Sequence, residues 1–200
     1  MATNKRQCCS YLVQNTIGHQ TKVLVWEENL TKKFYDASKD IARHYTELMG
    51  GFLGWGFDSI KNRCTHLLVA SRDDDPKIVG FCAFEEGKTK TGKKVLHVLQ
   101  IAVDTNSTHM GVGKAMLKYL EEHSKGFDAI ISEVNRHNIA SMCLFGGQDY
   151  LKSKNTNSHN QHIMYKNTDN IEGRKKLNLA PQKFHISDNG YYATSKVFRK

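Results

Sequence analysis

Between Val95 and Val134 an apolar run, a turn with two glycines, an amphipathic run and a second apolar run follow one another. That order constrains the fold more than any other feature of the chain. Val95 to Val103 reads as a buried strand, Lys114 to Glu122 as a helix with one apolar face, and Asp128 to Val134 as a further strand. Thr108-His109-Met110-Gly111-Val112-Gly113 lies between the first strand and the helix. Strand, turn, helix and strand make a right-handed crossover joining two parallel strands. The turn aims the unpaired N–H groups of a helix start at one spot, and glycine lets an anion approach the main chain closely. These residue types in this order spell a diphosphate cradle.

The rest of the chain supplies antiparallel neighbours. Residues 1–20 carry no sustained period and are expected to be loose. Lys22 to Trp26 reads as a strand. From Thr31, Phe34, Ser38, Ile41, Tyr45 and Leu48 recur every three or four residues, a helix capped by Thr31 and ended by Gly50-Gly51. Gly54-Trp55-Gly56-Phe57 is an aromatic turn. Thr65–Ala70 and Lys77–Phe84 form a hairpin about Asp73-Asp74-Asp75-Pro76, where three consecutive carboxylates read as a solvated turn before they read as a metal cluster. Gly87 to Gly92 turns the chain into the strand at Val95. Asn138 to Phe145 is a short helix closed by Gly146-Gly147, residues 152–162 are a loop, and Ile163–Tyr165 is a last strand. The sum is an α+β domain with a mixed sheet over residues 21–167, between a loose segment at 1–20 and a basic tail at 168–200.

Composition narrows the function classes. No stretch approaches the ~18 apolar residues of a membrane helix, and Met1 to Ser10 lack the apolar run of a signal peptide. Five cysteines without a CxxC pair suggest neither a disulfide framework nor a metal site, so a reducing compartment, cytoplasm or nucleus, is expected. The formal net charge is +9. It points either to an acidic partner (a polyphosphate cofactor, nucleic acid or chromatin) or to a solvated basic surface. Arg174, Lys175, Lys176, Lys183, Lys196, Arg199 and Lys200 stand in the tail against Glu172 and Asp188. The tail is therefore either a contact for nucleic acid or chromatin, or merely solvated.

At the glycine turn the chain resembles the GCN5-related N-acetyltransferases (GNAT). Those enzymes carry Arg/Gln-x-x-Gly-x-Gly/Ala between their fourth strand and third helix. Gly111 and Gly113 match, and Thr108 stands where the basic or amide residue would be. A second motif, Asn-x-x-Ala followed by Tyr, is matched in spacing by Asn138, Ser141, Phe145 and Tyr150, with Ser for Ala and Phe for Tyr. Within the family the chain is similar to the NatD-type histone N-terminal acetyltransferases. The likeness lies at Gly54-Trp55-Gly56, at Val95-Leu96 with Gly111-Val112-Gly113-Lys114, and at His137-Asn138 with Leu144-Phe145. It departs at His97 and Leu99, where those enzymes have tyrosines, and at Gln100, where they have glutamate.

The resemblance implies a GNAT fold: a mixed central sheet, parallel strands splayed at the acetyl-CoA site, and helices on both faces. It implies transfer of acetyl from acetyl-CoA, without a metal, to a protein N-terminus, histone tails above all, in nucleus and cytoplasm. It places the cofactor on Thr108, His109, Met110, Gly111, Val112, Gly113 and Lys114, on the backbone of Ile101, Ala102 and Val103, and on Asn138. Trp55, Glu85, Leu99 and Glu133 then contact the acceptor, Trp55 serving equally well as packing. His97 and Gln100 are the candidates for the chemistry, with Glu85 and Glu133 near His97 by topology. An imidazole titrates near working pH and suits a general base, though His97 can equally be a core histidine. Cys143 is either a nucleophile or a small core residue. Two other readings stay open: a lysine or polyamine acetyltransferase, and a degenerate domain that binds coenzyme A or chromatin without turnover.

Overall fold

The computed structural model describes residues 8–14, 18–28, 32–49, 62–89 and 92–168, with side chains of the first helix described for 34–43. The chain divides into two compact units, Met1–Phe84 with Leu99–Tyr119 and Glu85–Val98 with Leu120–Lys200. Strands β4 (Asp75–Lys88) and β5 (Lys94–Val103) run through both.

The first unit holds β1 (Cys8–Gln14), β2 (Gln20–Glu28), β3 (His66–Arg72), the first part of β4 and the last part of β5, in that order. The ladders β1/β2, β2/β3 and β3/β4 are antiparallel. Helix α1 (Lys32–Met49) lays Phe34, Ile41 and Ala42 on Leu67, Val69, Phe81, Ala83 and Ala102. That is the i, i+7, i+8 stripe of an amphipathic helix against alternate strand positions. Burying one such Leu, Val or Phe contributes about 1.5–3 kcal/mol. The opposite face receives α2 (Val112–Glu122). A Cβ on Gly80 would lie 2.9 Å from Val112 Cγ1 and 3.1 Å from Met116 Cε, so only glycine lets this helix lie so near β4. Helices thus cover both faces, as expected.

The N-terminal segment corrects the sequence. Cys8–Gln14 is an ordered edge strand in register with β2 from Cys8↔Trp26 to Gln14↔Gln20. Only Tyr11 of its seven side chains is buried. A strand held by its backbone ladder leaves no apolar alternation to read.

The second unit contains the parallel pair. β5 and β6 (Ala129–Asn135) pair from Val95↔Ala129 to Val98↔Ser132, joined through α2 as the crossover requires. β6 continues antiparallel with β8 (Gln161–Asn167), and β7 (Leu151–Lys152) pairs β8 from the other side. Val95, Ala129, Ile131 and Ile163 form the core, with Tyr165 against them. Helix α3 (Ile139–Gly146) starts at Asn138, whose Oδ1 accepts the Ser141 N–H (3.0 Å). The described residues therefore give three α-helices and eight strands in a mixed sheet, an α+β fold.

The parallel ladder stops at Val98↔Ser132, although β6 runs on to Asn135 and β5 to Val103. Ser132 Oγ donates to Val98 O (3.1 Å) and occupies the last carbonyl.

Candidate active site

In the first unit the chain leaves β5 through Asp104. Its N–H donates to Val79 O (2.7 Å), and its Oδ1 accepts the Asn106 N–H (2.9 Å), capping a 3-10 turn at Thr105–Ser107. Thr108 Oγ1 donates to Thr105 O (2.9 Å). Two residues then adopt left-handed backbone, His109 with φ 62° and Gly111 with φ 81°. Such alternation turns successive N–H groups toward one side and forms an anion nest. No N–H from Met110 to Lys114 donates to an acceptor among the described residues, and the first helical bond is Ala115 N–H to Gly111 O (2.9 Å). Unsatisfied amides on left-handed turns at a helix start fit a diphosphate. Gly111 is also fixed sterically, because a Cβ there would meet Val13 Cγ2 at 2.5 Å.

The β5 segment before this loop is irregular. Leu99 and Ala102 both pack against the α1 cluster. Residues three apart on a regular strand face opposite ways, so the chain gains a step between them, as at a bulge. Gln100, inside that step, is buried, and neither its Oε1 nor its Nε2 has a hydrogen-bond partner among the described residues. Leaving such groups dry costs about 1–3 kcal/mol. An arriving ligand that carries amides, as the pantetheine arm of coenzyme A does, matches that side chain. Ile101 and Val103 are half-buried, Val112 and Gly113 buried, and Lys114 exposed.

In the second unit His97 Nδ1 stands 3.2 Å from Glu85 Oε1, with side chains 5% and 3% exposed. A carboxylate that accepts from Nδ1–H fixes the tautomer whose lone pair is on Nε2, and it stabilises the imidazolium formed when that nitrogen takes a proton. Register adds a third group. His97 pairs with Ile131, so the half-buried Glu133, two residues on, lies on the same face and one step beyond the last ladder pair. Asn138 is buried with its Oδ1 committed to the α3 cap. Phe145 is buried against the Tyr150 ring at 5.0 Å, edge to face. Cys143 is exposed, so the core role is excluded.

The candidates thus fall into two sets: Leu99 to Val103 and Thr108 to Lys114 in the first unit, and Glu85, His97, Glu133 and Asn138 in the second. Trp55, Thr31 and Gly50-Gly51 lie outside the described residues. The sequence places Glu85 and Glu133 near His97 by topology, and the structure makes Glu85 its partner. The signal was available in the hairpin. Thr89 N–H bonds Lys93 O, and four residues outward from each end are Glu85 and His97. Asp73, Asp74 and Asp75 form the solvated turn expected. Asp73 pairs with Lys22 at 3.1 Å, Asp74 with Arg72, and Asp75 accepts the Lys77 N–H (2.9 Å). Among the described residues no three His, Cys, Asp or Glu side chains gather to hold a metal ion.

The sequence profile of the acetyltransferase (GNAT) family matches residues 25–146. The chain belongs to that family. Solved structures repeat the GNAT fold. The ribosomal-protein-S18-alanine N-acetyltransferase of Escherichia coli matches with 14% identity and a TM-score of 0.50 over 81% of this chain and 99% of its own. The PaiA N-acetyltransferase of Thermoplasma acidophilum, in complex with coenzyme A, matches with 16% identity and a TM-score of 0.56 over 72% and 98%. YncA of Salmonella typhimurium, with its cofactor acetyl-CoA, matches with 13% identity and a TM-score of 0.50 over 72% and 94%. A search of curated proteins by sequence finds no match.

Proposed function

We propose that this GNAT protein transfers the acetyl group of acetyl-CoA to the N-terminal α-amine of a protein, with a histone N-terminus as the favoured acceptor. The buried His97–Glu85 pair carries this choice. An acceptor amine must lose its proton before it attacks. An α-amine has a pKa of about 7.7–8.0 and a lysine amine about 10.4, so near neutral pH the α-amine is neutral several hundred times more often. A histidine oriented by one carboxylate is base enough for the first and weak for the second. The NatD-type likeness of the sequence favours histones, and Glu133 on the face of His97 favours a basic peptide.

The amides from Met110 to Lys114 hold the diphosphate, the β5 backbone at Ile101–Val103 and the Gln100 amide hold the pantetheine arm, and the Asn138 side chain adds a contact. The amine nitrogen attacks the thioester carbonyl carbon, its proton passes to His97 Nε2 directly or through water, and the carbon–sulfur bond breaks with the electron pair leaving on sulfur. Phe145 offers the departing thiolate no proton, so protonation comes from solvent. Such acceptors place the protein in nucleus and cytoplasm, and the basic tail at 168–200 adds contact with chromatin or nucleic acid. A second reading, acetylation of lysine or a polyamine, draws on the same Glu133 carboxylate.

The test is mass spectrometry after incubation with acetyl-CoA and peptides that begin Ser-Gly-Arg-Gly, beside peptides with internal lysines and blocked N-termini. Acetyl on the α-amine is expected. Acetyl on lysine alone moves the assignment to the second reading, and none on either makes the domain a binding module.

A further inference from the structure

Lys114, the cation within the diphosphate loop, is exposed. Thr108 brings only a hydroxyl, already committed to Thr105 O. A diphosphate carries two negative charges, and amides alone supply partial ones. The cation that touches the loop comes from elsewhere in the first unit. Arg72, at the end of β3, places Nη1 3.8 Å from the side-chain Sδ of Met110, the first residue of the cradle. Its Nε donates to Asp74 Oδ1 (2.8 Å) and its Nη2 to Asp74 Oδ2. The pair holds the Asp74 carboxyl below the usual carboxylate range and pushes the Arg72 guanidinium further up, so both stay charged. Asp74 is mostly exposed and Arg72 about one quarter so. Arg72 also borders a cavity of about 1080 Å³ between α1 and the β3–β4 hairpin, which leaves the guanidinium room to turn. Of the other carboxylates nearby, Asp73 pairs with Lys22 and Asp104 with Lys77 (3.5 Å), while Asp75 adds its field to that of Asp74 on Arg72.

Resting on the assignment of Met110–Lys114 as the coenzyme A cradle, we propose that Arg72 is a cofactor-binding residue that completes it, turning from Asp74 to the diphosphate. An exposed carboxylate is a weak competitor for a guanidinium, since water screens it. A diphosphate held by preorganised amides offers the planar fork two oxygens at once. The hairpin therefore supplies a planar, bidentate charge beside the exposed Lys114 of the loop itself.

Calorimetric titration with coenzyme A and with dephospho-coenzyme A, which keeps the diphosphate and lacks the 3′-phosphate, tests this. Arg72→Ala is expected to weaken both ligands by the same factor, about tenfold, a loss of about 1.4 kcal/mol. Arg72→Lys, which keeps charge without the fork, is expected to fall between Ala and wild type. Arg72→Gln carries the test if the alanine protein melts early. Affinities within twofold of wild type for both ligands overturn the proposal. So does a loss confined to coenzyme A, which puts the guanidinium on the 3′-phosphate. Failure of the wild-type protein to bind either ligand overturns the cofactor assignment itself, and this proposal with it.

Discussion

The two units reach their candidate chemistry by opposite means. The first works through main chain: left-handed backbone at His109 and Gly111, and N–H groups from Met110 to Lys114 without acceptors among the described residues. The second works through side chains: His97 on Glu85, both buried, with Glu133 on the same face. A backbone site is written in the spacing of glycines and survives change in the residues between them. A side-chain site depends on which residues meet across a ladder, and spacing along the chain does not state that. The difference teaches where substitutions act: in the loop on binding, in the dyad on turnover.

The largest effect tests the backbone half. Gly111→Val places a branched side chain at φ 81° with Cβ 2.5 Å from Val13 Cγ2. Strain at that φ costs about 1–3 kcal/mol and overpacking about 1–3 more. Thermal melting is expected to drop and coenzyme A binding to vanish. Adding Val13→Ala removes the clashing atoms and restores part of the melting temperature, while the strained loop still fails to bind. Tight binding by the double variant would show that the loop does not hold the cofactor.

Next comes the dyad. His97→Ala is expected to lower kcat about 10²–10⁴-fold with little change in coenzyme A affinity, measured by steady-state kinetics beside calorimetry. Equal losses in binding and turnover would erase the division between the units. Glu85→Gln keeps the shape and removes the charge, but its amide can donate to Nδ1 and hold the imidazole in the tautomer that cannot accept at Nε2, so kcat is expected to fall by up to about 10⁴-fold with coenzyme A affinity kept. A Glu85→Gln protein with kcat within about twofold of wild type would show that the carboxylate does not orient His97. The smallest expected effect is at exposed Cys143. Cys143→Ser should leave kcat within about twofold, because direct attack by the amine needs no acetyl-cysteine. A loss beyond tenfold, or an acetyl group on Cys143 by mass spectrometry, would replace the direct route.

The crossover was legible because its strand, turn and helix differ in periodicity over 95–134, and Phe34 and Ile41 of the α1 stripe were equally plain, with Ala42 added by the structure. β1 was not, since Cys8–Gln14 buries only Tyr11 and is held by backbone pairing. The loop residues followed from two glycines. Topology put both Glu85 and Glu133 near His97, and the turn closure at Thr89 and Lys93 decides that Glu85 meets the imidazole, while the Arg72–Met110 contact joins residues 38 apart that no local pattern links. Asn138 lay where its motif put it, yet its Oδ1 serves the α3 cap, a role the pattern does not distinguish from ligand binding.

Calorimetric titration of coenzyme A into folded Gly111→Val/Val13→Ala and His97→Ala proteins, side by side, tests the division of labour most directly. The account predicts no measurable binding in the first and near wild-type affinity in the second. Retained binding in the first, or lost binding in the second, would contradict it.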